Sequence, residues 1–161
     1  MLPSKDTITQ TIIPKLVERT KDLIKEEIKS SKGICGTLDS WSTKYTNIQF
    51  LSFTIHFFDG KEIKSRVLRL SNDFESHKSI HIKDFILSVI DEYNLTPFVP
   101  FPLITDNAPD VLHAVNLAGL ISVGCACHRL ELIIQEVLDQ CDLYKTLVNK
   151  CQHIAVKFRQ S

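Results

Sequence analysis

The sequence has no excess of charge of either sign, no cysteine spacing typical of a disulfide-stabilised domain and no long apolar run. Its 161 residues include 19 basic and 19 acidic side chains, only five glycines and six prolines. A net charge of zero excludes a strongly basic nucleic-acid-binding surface. Any electrostatic binding of DNA must therefore come from a local patch or from parts of the protein outside this chain. The longest apolar runs fall far short of the roughly 20 residues that a membrane span needs.

Targeting and disulfide signals are also absent. The N-terminus has no apolar signal-peptide core, and the five cysteines are odd in number and lack framework spacing. Together these absences predict an intracellular, reducing compartment and no membrane association. The sequence contains no internal repeats and no low-complexity segments, and its length fits one domain with a substantial core.

Two apolar, strand-like stretches each carry an aspartate close to their end. Gly33–Trp41 (GICGTLDSW) contains Asp39, and Phe98–Asn107 (FVPFPLITDN) contains Asp106. A carboxylate is unfavourable in an apolar core, because burying the charge without a partner costs free energy. The pattern therefore predicts two buried strands whose carboxylates meet at one edge of one sheet.

The middle of the chain has the alternation of a β-hairpin. Asn47–Phe58 alternates between apolar and polar residues, Asp59-Gly60 is a turn signal, and Glu62–Leu70 returns with mixed polarity. This combination predicts two antiparallel strands. The second strand should lie at an edge of the sheet, where its basic residues would prevent pairing with other chains.

The remaining segments alternate between helix and strand. We predict helices over residues 7–30 with a break near Pro14, over 82–93 with Ser79 as N-cap, from Ala108-Pro109 to a stop at Gly119, near Cys127–Asp139 and near Leu143–Phe158, and a strand over Ile121–Cys125. Strands separated by helices run parallel through right-handed crossovers. The sequence thus predicts an α/β fold with a mixed five-stranded sheet flanked by helices, comprising an N-terminal helical segment (1–32) and a sheet domain (33–161).

The two aspartates are the first candidates for chemistry. If the first and fourth strands are neighbours, Asp39 and Asp106 lie side by side, and such oxygen ligands suit Mg²⁺ or Mn²⁺. A cation held there can activate a water or a 3′-hydroxyl against a phosphodiester. The alternative is that Asp39 is a turn acid and Asp106 caps the following helix, and spacing alone slightly favours that alternative.

A second candidate is the C-x-x-H pattern formed by Cys125 and His128. Two ligands do not complete a structural zinc site, which needs four. Cys141, Cys151 and His153 could supply the others, but they fall on a helix whose apolar stripe already includes the cysteines. We therefore expect His128 to point toward the acidic pair rather than to bind zinc.

Three segments give the chain a family resemblance: TLDSWST at Thr37–Thr43, ITDNA at Ile104–Ala108 and CACHRLELIIQ at Cys125–Gln135. In this order and at about this spacing, they resemble the catalytic core of hAT-family DNA transposases and their domesticated relatives, the BED-type zinc-finger proteins. The resemblance extends from about Ser4 to Ser161. It implies an RNase H-like fold, a divalent-metal DDE mechanism of DNA strand cleavage and transfer, DNA as partner, homo-oligomers in the intact family and a nuclear location.

The resemblance also implies roles for individual residues. Asp39 matches the first metal-binding aspartate and Asp106 the second, with Mg²⁺ or Mn²⁺ as cofactor. Cys125 and His128 match the C-x-x-H pair beside the active site of the family. Trp41 matches the aromatic residue that follows the first aspartate, for which we expect a packing role.

The sequence departs from the family pattern in several places. Glu131 stands where the family usually has asparagine. The third acid of the family, a glutamate, follows a large helical insertion, and this chain ends at Ser161, about where that insertion begins. The N-terminal BED finger and the C-terminal dimerisation region are missing as well. We therefore expect a partial transposase core that is inactive alone, or alternatively a host-adopted scaffold that binds DNA or protein.

The last two helices also carry more apolar surface than a five-stranded sheet can cover. We expect this stripe to be exposed, as a docking face for the insertion domain or for a second subunit. Its residues are Leu130, Ile134, Val137, Leu138, Cys141, Tyr144, Leu147, Val148, Cys151, Ile154, Ala155 and Phe158.

Overall fold

The structure is a computed structural model that describes residues 3–43, 48–72 and 78–160. Its helices are α1 (Lys5–Thr7), a π-helical turn (Ile8–Ile12), α2 (Ile13–Lys29), α3 (Ser79–Glu92), a 3₁₀ turn (Thr96–Phe98), α4 (Pro109–Leu117), α5 (Ala126–Asp139) and α6 (Asp142–Gln160). Its strands are β1 (Ile34–Ser42), β2 (Gln49–Phe58), β3 (Ile63–Ser71), β4 (Pro102–Thr105) and β5 (Ile121–Gly124). The predicted α/β class is confirmed.

The sheet has the strand order β3-β2-β1-β4-β5. The pairs β1–β2 and β2–β3 are antiparallel, whereas β1–β4 and β4–β5 are parallel. This mixed arrangement and the edge position of β3 agree with the sequence-based prediction. The hairpin turn forms at Asp59-Gly60, where Gly60 has a φ of 98° and the Asp59 carboxylate accepts hydrogen bonds from two backbone N–H groups. Asn47, predicted to begin the second strand, lies outside the described residues.

A second helix begins at Ile13, next to Pro14, as predicted, but no interruption separates it from the helical turn before it. Pro14 does occupy the first turn of α2, a position that tolerates its missing N–H. The preceding π-helical turn leads directly into α2, and the Ile13 N–H donates to the carbonyl of Ile8. The chain therefore accommodates Pro14 by changing the hydrogen-bond register instead of interrupting the helix.

Three further boundaries differ from the prediction. Lys78, not Ser79, is the N-cap of α3, and its side chain makes no capping hydrogen bond. The strand predicted from Phe98 begins only at Pro102, because Pro97 and Pro100 have no N–H to donate to a ladder. The last strand ends one residue early, at Gly124.

The core lies on one face of the sheet. Alternate residues of β1 and β2 are buried there together with apolar side chains of α2, α3 and α4. Salt bridges at the rim attach α2 to its neighbours: Glu27 receives two hydrogen bonds from the Arg66 guanidinium, at 2.9 and 3.0 Å, and Lys21 lies 2.7 Å from Glu92. These contacts hold the N-terminal helix against β3 and α3.

The chain divides into two compact units, residues 1–124 and 125–161. The second unit consists of α5 and α6, and α5 buries none of its residues. The predicted exposed stripe is confirmed for most of its members, such as Val137 (63% exposed), Leu147 (59%) and Phe158 (79%), whereas Leu138, Tyr144 and Val148 are half-buried. Among the described residues, no helix is long and apolar enough to cross a membrane.

Candidate active site

The predicted neighbourhood of the first and fourth strands is present. β1 and β4 pair in parallel with Gly36 opposite Leu103 and Thr37 opposite Ile104. Asp39 and Asp106 each follow the latter pair by two residues, although the pairing ends at Thr37 and Ile104 and β4 ends at Thr105. Neighbouring strands lie about 4.8 Å apart, so we expect Asp39 and Asp106 to lie side by side if the chain continues in the same register.

Asp106 is held by a turn that begins at the end of β4. One of its carboxylate oxygens, Oδ1, accepts a hydrogen bond from the Ala108 N–H at 3.1 Å. The buried Thr105 hydroxyl accepts another from the Asn107 N–H at 3.4 Å. Asn107 has a left-handed backbone with a φ of 68°. These features fix the direction in which the chain leaves the strand, and the Oδ2 atom of Asp106 has no hydrogen-bond partner among the described residues.

The geometry also tests the alternative roles of the two acids. The N-cap of α4 is Ala108, whose methyl side chain makes no capping hydrogen bond. Asp106 accepts from the N–H of Ala108 itself, so it forms a turn before the helix and is not the N-cap residue. Asp39 is not a turn residue either, because β1 continues to Ser42 and Asp39 pairs with Ser52 of β2. Its carboxylate is exposed and makes no hydrogen bond or ion pair with any other described residue.

Trp41 lies two residues after Asp39 on the same face of β1. Its ring stacks on that of Phe50 across the strand pair, with centroids 5.4 Å apart and planes inclined by 14°. The expected packing contact is therefore present, yet Trp41 remains 45% exposed. It lines a cavity of about 330 Å³ between the end of β1 and the start of α4, together with Ala108 and Pro109.

Cys125 and His128 belong to the second unit. Cys125 is the N-cap of α5, and the His128 Nδ1 lies 3.7 Å from a carboxylate oxygen of Glu131, one helical turn further on. That contact is an ion pair only when the histidine is protonated. The departure from the family pattern at Glu131 thus gives His128 a local acidic neighbour. The expectation that Cys125 and His128 lie beside the aspartates stays a prediction.

A divalent cation suits the chemistry of the two aspartates. Mg²⁺ takes hard oxygen ligands and is commonly bound by one or two carboxylates, with water and phosphate oxygens completing its shell. Asp39, which has no other partner among the described residues, and the free Oδ2 of Asp106 can supply those carboxylate oxygens. Within residues 3–43, 48–72 and 78–160, no three His, Cys, Asp or Glu side chains gather as a metal site. The described part of the chain thus offers two carboxylate ligands.

Sequence reasoning missed three residues that shape this site. Asn107 sets the turn through its left-handed backbone, Thr105 buries a hydroxyl beneath that turn, and Gly36 lets β4 approach β1 closely. The dipeptide Asp106-Asn107 was a usable signal, because asparagine tolerates the left-handed region better than other non-glycine residues. No local pattern marks Gly36, since its role depends on side chains from two other strands.

The mixed five-stranded sheet flanked by helices defines an α/β domain consistent with the RNase H-like class. Comparison with known proteins points to a more specific relationship. The chain is 24% identical over 155 residues to the transposable element Hobo transposase of Drosophila melanogaster. The match covers 94% of this chain and 24% of the Hobo protein. No protein-family profile matches the chain. The chain is thus distantly related to a transposase and spans about a quarter of that protein's length.

Proposed function

We propose that this chain is a partial hAT-type transposase core in which Asp39 and Asp106 hold one divalent cation at a DNA phosphodiester. The observation that supports the proposal is the parallel pairing of β1 with β4, whose register, continued two residues past Thr37 and Ile104, would set Asp39 beside Asp106. The similarity to the Hobo transposase over most of the chain supports the same function.

Each aspartate has a distinct part in this proposal. The exposed Asp39 presents both carboxylate oxygens to solvent, whereas Asp106 offers Oδ2 while the Ala108 N–H holds Oδ1. When bound, Mg²⁺ or Mn²⁺ would polarise the phosphodiester and lower the pKa of an attacking water or 3′-hydroxyl. The aspartates position that charge on the edge of a rigid sheet. Cys125 and His128 are proposed as neighbours of this site.

We propose further that this chain neither cleaves nor joins DNA by itself. Phosphoryl transfer of the DDE type uses three acids, and the described residues bring together only two. DNA would be held chiefly through parts outside this chain, because its own net charge is zero. A function on chromosomal DNA places the protein in the nucleus.

The test combines cation binding with a DNA assay. Binding of Mn²⁺, followed by electron paramagnetic resonance, should be measurable for the wild-type chain and at least tenfold weaker in Asp39→Asn and Asp106→Asn. Asp91→Asn, which removes an exposed carboxylate from α3, is the matched control and should bind as the wild type does. Neither nicking nor joining of a DNA hairpin is expected.

The outcomes separate the parts of the proposal. Equal Mn²⁺ binding by all four proteins would remove the metal site. DNA cleavage that depends on Asp39 would overturn the claim of inactivity while supporting the site.

A non-catalytic scaffold for DNA or protein is the second candidate, as in domesticated BED-type relatives. The observation that favours it is the limit of two carboxylates at the sheet edge within the described residues. A scaffold should bind its partner equally well with and without Mn²⁺, and Asp39→Asn should leave that binding unchanged. A titration of labelled DNA with and without the cation distinguishes the two functions.

A further inference from the structure

The loop between α3 and β4 is anchored at one residue and exposed at the next two. Leu95 is fully buried, whereas Thr96 and Pro97 at the start of the 3₁₀ turn are exposed. The Thr96 hydroxyl makes no hydrogen bond with any other described residue. It is therefore accessible to a modifying enzyme without the loss of a native contact.

A cavity of about 320 Å³ lies between this loop and the N-terminal helix α2. Asn94 and Pro97 line it from the loop, and Lys25, Glu26 and Lys29 line it from α2. The cavity thus borders the exposed part of the loop and has charged side chains on the helix side.

The charges at this cavity are unbalanced. Lys25 makes no ion pair with any other described residue. Lys29 lies 3.9 Å from Glu26, but these side chains are 78% and 74% exposed, so water screens the contact. Lys21, one turn earlier on α2, differs because it has two glutamate partners within 3.2 Å. Two ammonium groups and one carboxylate leave a positive surplus at the cavity, which suits an anion.

Thr96 also has a distinctive place in the sequence. The six prolines of the chain follow leucine, isoleucine, threonine, valine, phenylalanine and alanine, so Thr96 is the one hydroxyl residue that precedes a proline. A serine or threonine followed by proline, in an accessible segment, is what proline-directed protein kinases recognise. The dipeptide Thr96-Pro97 has this feature in an exposed loop beside an electropositive cavity.

We propose that Thr96 is a phosphorylation site for a proline-directed kinase and that Lys25 and Lys29 hold the resulting phosphate. The Thr96 Oγ1 atom attacks the γ-phosphorus of ATP, the bond from that phosphorus to the bridging oxygen of ADP breaks, and the hydroxyl proton passes to a base of the kinase. The phosphate has a charge of about −1.5 to −2 at neutral pH and three strong acceptor oxygens, with which ammonium groups form charge-assisted hydrogen bonds. This inference is independent of the cation site.

The phosphate adds a charged link between α2 and the loop that leads into β4. Such a link exists only in the folded chain, and new contacts of this kind order a loop. Phosphorylation should therefore stabilise the first unit. A phosphate that faced water alone would bring no such gain.

The first test is the treatment of the full chain with ATP, Mg²⁺ and a cyclin-dependent kinase, followed by mass spectrometry. One phosphate is expected, on Thr96. Thr96→Val should accept none, and Pro97→Ala should be modified at least tenfold more slowly because the kinase reads the proline. Thr20→Val is the matched control, since it removes an exposed threonine that no proline follows, and it should be modified as the wild type is.

The second test is the pKa of the phosphate, measured by phosphorus NMR. Two nearby ammonium groups should lower it by about half a unit or more from its ordinary value of about 6. Lys25→Ala with Lys29→Ala should return the pKa to that value. Lys15→Ala with Lys61→Ala removes the same charge at exposed positions that do not line the cavity, and should leave the pKa lowered.

Each test can overturn the proposal. Absence of phosphate on Thr96 of the folded chain would do so, whether or not an unfolded peptide of residues 91–102 is modified. A phosphate pKa that is the same in the wild type and in the variant without Lys25 and Lys29 would do so as well, because the lysines would then not hold the phosphate.

Discussion

Gly36 of β1 and Leu103 of β4 face each other in the parallel pair with no room for a methyl group between them. A Cβ on residue 36 would lie 2.5 Å from Leu103 Cδ1 and 3.3 Å from the ring of Phe53. Both neighbours are fully buried, so neither can swing aside into solvent. The close approach of the two strands that carry Asp39 and Asp106 therefore depends on a glycine at this position.

Substitution of Gly36 tests this dependence. Gly36→Ala should lower the free energy of unfolding by about 1–3 kcal/mol, because the added methyl overpacks a filled core. Urea unfolding followed by circular dichroism measures the change. Gly33→Ala is the matched control, since a Cβ there would meet nothing within 4 Å. An equal loss in both variants would show that the effect has nothing to do with the β1–β4 contact.

The backbone of Asn107 provides a second prediction. Asn107→Val should destabilise the fold by about 1–2 kcal/mol, because a β-branched residue disfavours the left-handed conformation at φ 68°. Asn107→Gly should be close to neutral, since glycine adopts that conformation freely. Thermal unfolding of the two variants makes the comparison. Similar melting temperatures for Val and Gly would mean that the turn after Asp106 is not under this constraint.

The arrangement of the sheet could be predicted because its signals are local. Alternation over β2, the Asp59-Gly60 turn and the helical stripes each specify one element, and the right-handed crossover rule orders the later strands. That order includes the parallel pairing of β1 with β4, on which the predicted meeting of Asp39 and Asp106 depends.

The differences between the structure and the sequence-based prediction arise from interactions that cannot be recognised in a single segment of sequence. Pro14 was expected to break a helix, but an i→i−5 hydrogen bond at Ile13 allows the turn to continue. The strand predicted from Phe98 is too long at its N-terminal end. Two prolines in this segment have no N–H for the hydrogen bonds of a sheet, and this loss outweighs the apolar character of the segment. The role of Asn107 depends on a hydrogen bond to Thr105, which pattern analysis of strands and helices does not consider.

Tyr93 provides a third prediction. Its hydroxyl donates a buried hydrogen bond to the Leu68 carbonyl at 2.9 Å, beside the irregularity where β3 shifts register against β2. Burial raises the pKa of Tyr93 above its ordinary value, so the hydroxyl keeps its proton at neutral pH. Tyr93→Phe should cost about 1–3 kcal/mol, because it leaves that carbonyl unsatisfied. Chemical denaturation measures the loss, and amide exchange around Leu68 should rise. An unchanged exchange rate there would argue against the bond.

The pair formed by Glu27 and Arg66 predicts a dependence on pH. Hydrogen bonds from Arg66 hold the pKa of Glu27 below its ordinary value of 4.5. Because the folded-state pKa is the lower one, this stabilisation is complete above pH 4.5 and is lost as the pH falls through the folded-state pKa. Glu27→Gln should therefore destabilise the protein by about 1 kcal/mol or less at neutral pH.

The same variant should lose its disadvantage in acid. In urea unfolding of wild type and Glu27→Gln, the difference in stability should narrow progressively as the pH is lowered below 4.5, since the wild-type carboxylate becomes protonated. A gap of constant size from neutral to acidic pH would contradict an electrostatic origin for the contribution of Glu27.

The strand order determines when, during folding, Asp39 and Asp106 could come together. β1, β2 and β3 form a meander of short connections, whereas Asp39 and Asp106 are 67 residues apart in the chain. Closing so long a loop costs more entropy than forming a hairpin, and such distant contacts tend to form late in folding. An intermediate with only the meander formed would hold Asp39 in place with no partner beside it. The proposed pair of carboxylates would therefore form only in the completed sheet, and a ligand that bridged them would stabilise the finished fold over every partially folded state.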